Sequence, residues 1–238
     1  METLSIGWVL ALAWLAGLAI PLGALIASSV VLRDVCLRLQ LDSFVSYFGG
    51  GALLAAITLV LVPAGAEDLS MVAALTAFAA GGVVFWQFSV WAKRTQTRTG
   101  IFIGMLLDFV PEALLLGVFA ASDAGMAFLL AGLIALQNMP EGFAGYREMT
   151  ESIPSRMRLL LIFLAASVLG PLAAWLGHVH LTESEAVLGL ILLFCSGGIL
   201  YLIFEDIAPN AHSKSVSFPA IGAICGFLLG MAGTMLVH

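Results

Sequence analysis

The chain has 238 residues, of which 61% are hydrophobic and only 10% charged, with a mean hydropathy of +1.09. A soluble domain needs a far more polar surface, so this composition excludes one and describes an all-α integral membrane protein. The net charge of −6 comes with no basic face for nucleic acid.

Apolar stretches of roughly 18–25 residues, enough to cross a hydrocarbon core about 30 Å thick, recur at 5–28, 44–63, 72–92, 100–121, 125–146, 157–177, 186–208 and 217–237. They predict eight transmembrane helices in a single transmembrane domain, 1–238. The first stretch lacks a basic leader and a cleavage site, and reads as a retained span. The nine basic residues, Arg33, Arg38, Lys93, Arg94, Arg98, Arg147, Arg156, Arg158 and Lys214, fall after the first, third, fifth and seventh spans. The intervening loops carry Glu67, Asp68, Asp123, Glu183 and Glu185 without Lys or Arg. The positive-inside rule then places both termini outside.

The chain also matches itself. Phe48-Gly-Gly-Gly51-Ala-Leu-Leu lies over Phe194-Cys-Ser-Gly197-Gly-Ile-Leu, and the same offset carries Pro63 onto Pro209. A weaker match joins Leu15-Ala16-Gly17 through Ala24 to Ala165-Ala166-Ser167 through Ala174. Each copy is offset from its partner by five spans, an odd number, so the copies face opposite ways across the membrane. Such inverted repeats mark many secondary transporters, with the substrate site where the halves meet. Spans four and five fall outside both copies, which gives a 3+2+3 arrangement. The alternative to a repeat is that small residues and prolines recur by chance in an apolar chain, because Gly and Ala let helices approach closely in lipid.

Those two central spans carry the costliest residues in the chain. Asp108-Phe-Val-Pro-Glu112 and Gln137-Asn-Met-Pro-Glu141 repeat one phrase, and an acid at mid-membrane costs about 2.5–3.5 kcal/mol on insertion scales. Residues four apart share a helix face, so Asp108 with Glu112, and Gln137 with Glu141, can converge on one ion. Pro111 and Pro140 cannot donate to the carbonyls of Leu107 and Leu136, leaving further oxygens free. The result is an oxygen-rich cage suited to a divalent cation. Neither span holds a Lys or Arg, so the partner is a metal ion or bound protons; a proton-bridged cluster that only clamps two helices is the bland possibility.

These phrases resemble the ZIP family of divalent-metal transporters, whose fourth and fifth helices carry His-Asn-x-Pro-Glu-Gly and His-x-x-Pro-Glu motifs. The resemblance extends over nearly the whole chain, through the Gly-rich second span ending in Pro63 and a seventh reading Gly197-Gly198-Ile-Leu-Tyr201 through Glu205-Asp206-Ile-Ala-Pro209. It implies a ZIP-like bundle, often a homodimer, in a bacterial cytoplasmic (inner) membrane. By the same resemblance the protein carries zinc, manganese, iron or cadmium toward the cytoplasm by alternating access, as substrate and without an organic cofactor. Glu112 and Glu141 become shared metal ligands, with Asp108 and Gln137 at the first motif positions and Asn138 offering a further oxygen.

The chain departs from the family in several places. Asp108 and Gln137 stand where His is usual, Phe109 where a polar ligand is, and Val60 at a second-span position that often holds His. The sixth span has no carboxylate, and the stretch 91–100 has no His-rich insertion. Losing imidazole leaves oxygen donors and favours harder ions such as manganese or ferrous iron, against the Irving–Williams order.

Smaller signals remain. Glu205 and Asp206 lie near the inner end of the seventh span, where the copy has Leu59 and Val60; they read as an inner exit site or as solvated helix-end acids. His178 and His180 read as a solvated loop or an entrance site. Cys36 falls in an inner loop, and Cys195 and Cys225 read as small apolar packing. Trp8, Trp14, Trp86, Trp91 and Trp175 read as interface anchors. Two other functions are weighed against transport: a metal-sensing or degenerate homologue that does not transport, and an intramembrane hydrolase. The hydrolase lacks a Gly-x-Gly-Asp phrase or a buried Ser/His pair, so the protein is read as no enzyme.

Overall fold

The structure, a computed structural model, describes residues 4–29, 35–94, 100–150, 152–182, 184–211 and 219–237. All regular structure among them is helical. The helices are α1 (Ile6–Ser29), α2 (Val35–Ala56), α3 (Val62–Ala66), α4 (Met71–Arg94), α5 (Gly100–Ser122), α6 (Ala124–Met149), α7 (Arg156–Ser167), α8 (Leu169–Leu176), α9 (Glu185–Leu202), α10 (Ala208–Ala211) and α11 (Pro219–Val237). Arg33, Arg98, Glu183, His212, Lys214 and His238 lie outside the described residues, as do the side chains of Cys36, Arg38, Lys93 and Arg94.

Six stretches are long and apolar enough to cross a membrane: Ile6–Ser29, Ser43–Ala66, Met71–Trp91, Ala124–Met149, Arg156–Leu181 and Glu185–Glu205. Ala220–Leu236 is apolar but shorter. The remaining expected span coincides with α5, a 23-residue helix in which the side chains of Ile101, Ile103, Gly104 and Leu107 are outside the described set.

Prolines explain where the long rods change form. Pro171 cannot donate to the carbonyl of Ser167, and the helix breaks there into α7 and α8. Two π-helical turns, Ile57–Leu61 and Ile203–Ile207, join α2 to α3 and α9 to α10. Each ends just before the turn's proline, Pro63 or Pro209, whose ring a tighter turn would press against a carbonyl. The two turns are separated by the same offset that overlays Phe48 on Phe194. A third π-turn, Gly177–Leu181, follows α8.

Close crossings hold the rods together. A side chain on Gly142 would strike the carbonyl of Ile20, and one on Gly23 the carbonyl of Met139, so α1 and α6 meet backbone to backbone. The contact of α5 with α8 and its π-turn has the same build: Gly117 sits on the carbonyl of Ala174, and Gly177 on that of Leu114. Likewise α2 meets α11 through Gly51 on Ala223 and Gly226 on Phe48, and α4 meets α9 through Gly197 on Phe78 and Gly81 on Phe194. In all four, each helix offers a carbonyl and, one turn later, a glycine. Such close approach supplies dispersion and Cα–H···O contacts where lipid removes the hydrophobic drive between helices. α1 also packs on α7 and α8, α5 on α6, α2 on α6, and α9 on α5. The core therefore gathers around α5 and α6, with Phe109, Phe163, Leu115, Leu130 and Ile134 fully buried, whereas α4 stands at the edge with most of its surface uncovered.

Gly142→Val should force α1 from α6 and lower stability by about 1–3 kcal/mol, the usual cost of overpacking. Gly132, with nothing within 4 Å of an added Cβ, should tolerate Ala without loss. Thermal unfolding of the two variants in detergent compares them.

Candidate metal site

α5 presents Asp108 and Glu112, and α6 presents Gln137 and Glu141. Both helices continue unbroken through Pro111 and Pro140. Asp123 fixes the start of α6, its carboxylate accepting the Met126 N–H at 3.1 Å, which satisfies one of the free donors at a helix N-terminus. The connection between the two helices is that single residue, so they pack as neighbours running in opposite directions.

Across this pair the Gln137 side-chain amide donates from Nε2 to Glu112 Oε2. Asp108 lies within electrostatic reach of Glu141 and Glu112, and Glu141 within reach of Glu112. The four polar side chains named from the sequence are thus brought together. Asp108, Glu112 and Gln137 are almost completely buried. Asn138 is buried too but turns the other way, its Nδ2 donating to the Ala16 carbonyl of α1 at 3.4 Å. Six side-chain oxygens here are buried without a hydrogen-bond partner among the described residues: Asp108 Oδ1, Glu112 Oε1, Gln137 Oε1, Asn138 Oδ1 and both oxygens of Glu141. Buried polar atoms are normally paired, and each unpaired one costs roughly 1–3 kcal/mol.

The geometry is open rather than preset. Among the described residues no three His, Cys, Asp or Glu side chains converge tightly enough to hold a metal ion by themselves. One reason is chemical: the group facing Glu112 is an amide. Its N–H occupies one Glu112 oxygen in the place a cation would take, and rotation about the terminal bond of Gln137 would offer Oε1 instead.

The remaining predicted residues lie elsewhere. Glu205 sits half-buried in the π-turn Ile203–Ile207 and lines an open cavity of about 320 Å³ with Gly197, Leu200, Tyr201 and Phe204. None of the four central residues lines that cavity. The side chain of Asp206 lies outside the described residues. His178 Nδ1 donates to the Gly117 carbonyl at 3.1 Å, and His180 stands edge-on to Trp175, so the two imidazoles serve separate contacts. Phe109 offers no donor; its ring tip is wedged at Gly17 of α1 and Gly170 of α8. Cys195 is buried on α9 among apolar residues.

The fold and site define a helical integral membrane protein with a buried, acid-rich polar centre. No family model matches the chain. It is 31% identical over 131 residues to the zinc transporter GufA of Myxococcus xanthus, a match covering 54% of this chain and 52% of that protein. The chain thus spans about half the length of this relative. The similarity agrees with the ZIP-family resemblance carried by the paired Pro-Glu phrases.

Gln137→Leu removes the only hydrogen bond to Glu112 among the described residues, and should lower the stability of metal-free protein by about 1–3 kcal/mol. Asp108→Asn, which removes one of three clustered carboxyl groups, should not lower it. Thermal melts in chelator test the contrast.

Proposed function

We propose that this chain is a ZIP-type divalent-metal transporter, embedded in a bacterial cytoplasmic membrane with both termini outside, that moves metal toward the cytoplasm. Asp108, Glu112, Gln137 and Glu141 form its transport site. The five buried, unpartnered oxygens of Asp108, Glu112, Gln137 and Glu141 carry this reading: oxygen donors in number, shielded from water and without a Lys or Arg in either span, suit a hard or borderline divalent cation. The similarity to a zinc transporter supports the same substrate class.

An inverted 3+2+3 arrangement of eight spans supplies the mechanism. The four crossings fall into two matched pairs, α1 on α6 with α8 on α5, and α2 on α11 with α9 on α4. The paired π-turns follow the same exchange. This pattern supports two inverted halves closing around α5 and α6, an arrangement in which one half rocks against the other about a central site.

Binding proceeds by exchange at Glu112. The arriving ion displaces the Gln137 N–H from Glu112 Oε2, Gln137 turns its carbonyl oxygen inward, and Asp108 and Glu141 close from one turn away. Carboxylates bind metal in their deprotonated form, so entry of the ion releases whatever protons balanced the cluster. Asn138 and Glu205 then line the route rather than the central site.

In proteoliposomes, Glu112→Gln and Glu141→Gln should each reduce saturable metal uptake at least tenfold, while Asp108→His should raise the zinc-to-manganese uptake ratio by supplying imidazole. Metal uptake should release protons and weaken as the medium is acidified. Tight metal binding without flux in the wild-type protein would identify a sensor or degenerate homologue instead.

A further inference from the structure

A groove of about 310 Å³ lies between α1, α2 and α6, lined by apolar residues. Ile26, Leu41, Phe44 and Met139 are exposed along it, so it opens outward rather than into the polar centre. On α6 its wall is a single stripe, Leu136, Met139, Pro140 and Phe143, and Arg147, four residues past Phe143, continues that stripe. The Arg147 guanidinium lies over the Phe143 ring, 4.6 Å from its centroid. Glu148 follows it, but a helix turns consecutive side chains about 100° apart. On α1 the wall runs through Gly23 and Ile26, and Ser29 continues it by one more step of three. There Arg156, at the start of α7, donates from Nη2 to the Ser29 hydroxyl at 3.4 Å, and its side chain is exposed.

Both arginines stand at the same end of the groove. α1 and α6 run in the same direction, since Asn138 meets Ala16 and Gly142 meets Ile20. Further along, Gly23 packs on the Met139 carbonyl and the Phe143 nitrogen. Ser29 and Arg147 lie about 9 and 6 Å beyond that contact by the helical rise. A channel that is apolar along its length thus ends in two positive charges at one membrane face.

We propose that this groove binds an anionic phospholipid, with one acyl chain along the α6 stripe and the phosphate held between Arg147 and Arg156. The bilayer supplies acyl chains to any apolar groove that opens to it; the arginines add selectivity, because guanidinium matches phosphate oxygens and basic side chains at the membrane surface draw anionic lipid. A helix from a second copy would fill the apolar part and leave both charges unmatched. The inner end of the groove reaches Pro140, where a Cβ on Gly49 of α2 would lie 3.5 Å from the ring. The bound chain therefore braces α2 against the helix that carries Gln137 and Glu141, and it does so whatever occupies the polar centre.

Titration of the purified full chain in dodecyl maltoside with phosphatidylglycerol, read by native mass spectrometry and by melting temperature, tests the site. Wild type should bind phosphatidylglycerol and melt higher with it, and should bind phosphatidylcholine far more weakly. Arg147→Gln and Arg156→Gln should each weaken phosphatidylglycerol binding about fivefold, the scale on which one basic residue holds an anionic lipid surface. Arg158→Gln, exposed near the same helix start, should leave it unchanged. Met139→Trp, which fills the groove, should abolish it; the arginine variants decide the matter if that protein does not fold. Phosphatidylcholine bound as tightly as phosphatidylglycerol, or equal losses in Arg158→Gln and Arg156→Gln, would overturn the proposal in favour of an unselective lipid coat or a diffuse charge effect. Undiminished lipid binding in folded Met139→Trp, or a wild-type dimer that this variant dissociates, would overturn it as well, the second by giving the groove to another copy of the chain.

Discussion

Three carboxylates buried between two helices that hold no basic residue in their apolar spans set the terms for the rest of the molecule. In lipid such groups are tolerated only when turned inward and balanced by a cation or protons. Hence α5 and α6 lie at the centre, α1, α2, α8 and α9 cover them, and the covering helices come close enough for glycine to meet carbonyl. The tight crossings and the polar centre are parts of one solution: the shell must exclude lipid from oxygens that have no partner of their own.

The contacts also place the polar residues in a register that the repeated phrase conceals. The phrase pairs Asp108 with Gln137 and Glu112 with Glu141. Gly117 and Gly142 hold matching places in two separate crossings, on Ala174 of α8 and on Ile20 of α1, and Gln137 precedes Gly142 by as many residues as Glu112 precedes Gly117. Glu112 and Gln137 are therefore opposite each other, which is why they bond. Because α5 and α6 run in opposite directions, Asp108 and Glu141 both fall one turn to the same side. The corresponding places on the other side hold Leu116 and Leu133, both buried. A nearly symmetric frame thus carries a lopsided charge distribution, with acids on one side of the Glu112–Gln137 pair and leucines on the other.

Much of this was legible in the chain. Long apolar runs dictate helices whatever their neighbours, and an acid in such a run is conspicuous because its cost is local. Pro63 and Pro209, in matching stretches, marked the two places where the helices widen into π-turns. What pattern could not supply was contact between segments distant in sequence. Phe109 reads equally as a lost ligand or an ordinary core residue until its ring is seen against Gly17 and Gly170. Asn138 follows Gln137 directly, yet a helix turns consecutive side chains about 100° apart, and only the position of α1 shows that its amide serves Ala16.

On the proposed transport-site reading, the wedge at Phe109 bears on how many ions the centre can hold. By the ZIP resemblance a second ion would take a donor from the position of Phe109, and that position carries a phenyl ring closed against two glycines. Asn138, the nearest amide on α6, has its nitrogen spent on α1. The free oxygens of Asp108, Glu112, Gln137 and Glu141 instead share the single face where α5 and α6 meet. Donors concentrated on one face, with an apolar wedge behind them, favour one ion held between two helices over two ions bridged by shared carboxylates. The Gln137 N–H on Glu112 fits that economy: an amide that can donate before the ion arrives and accept afterward lets one buried carboxylate serve both states without a permanent counter-charge.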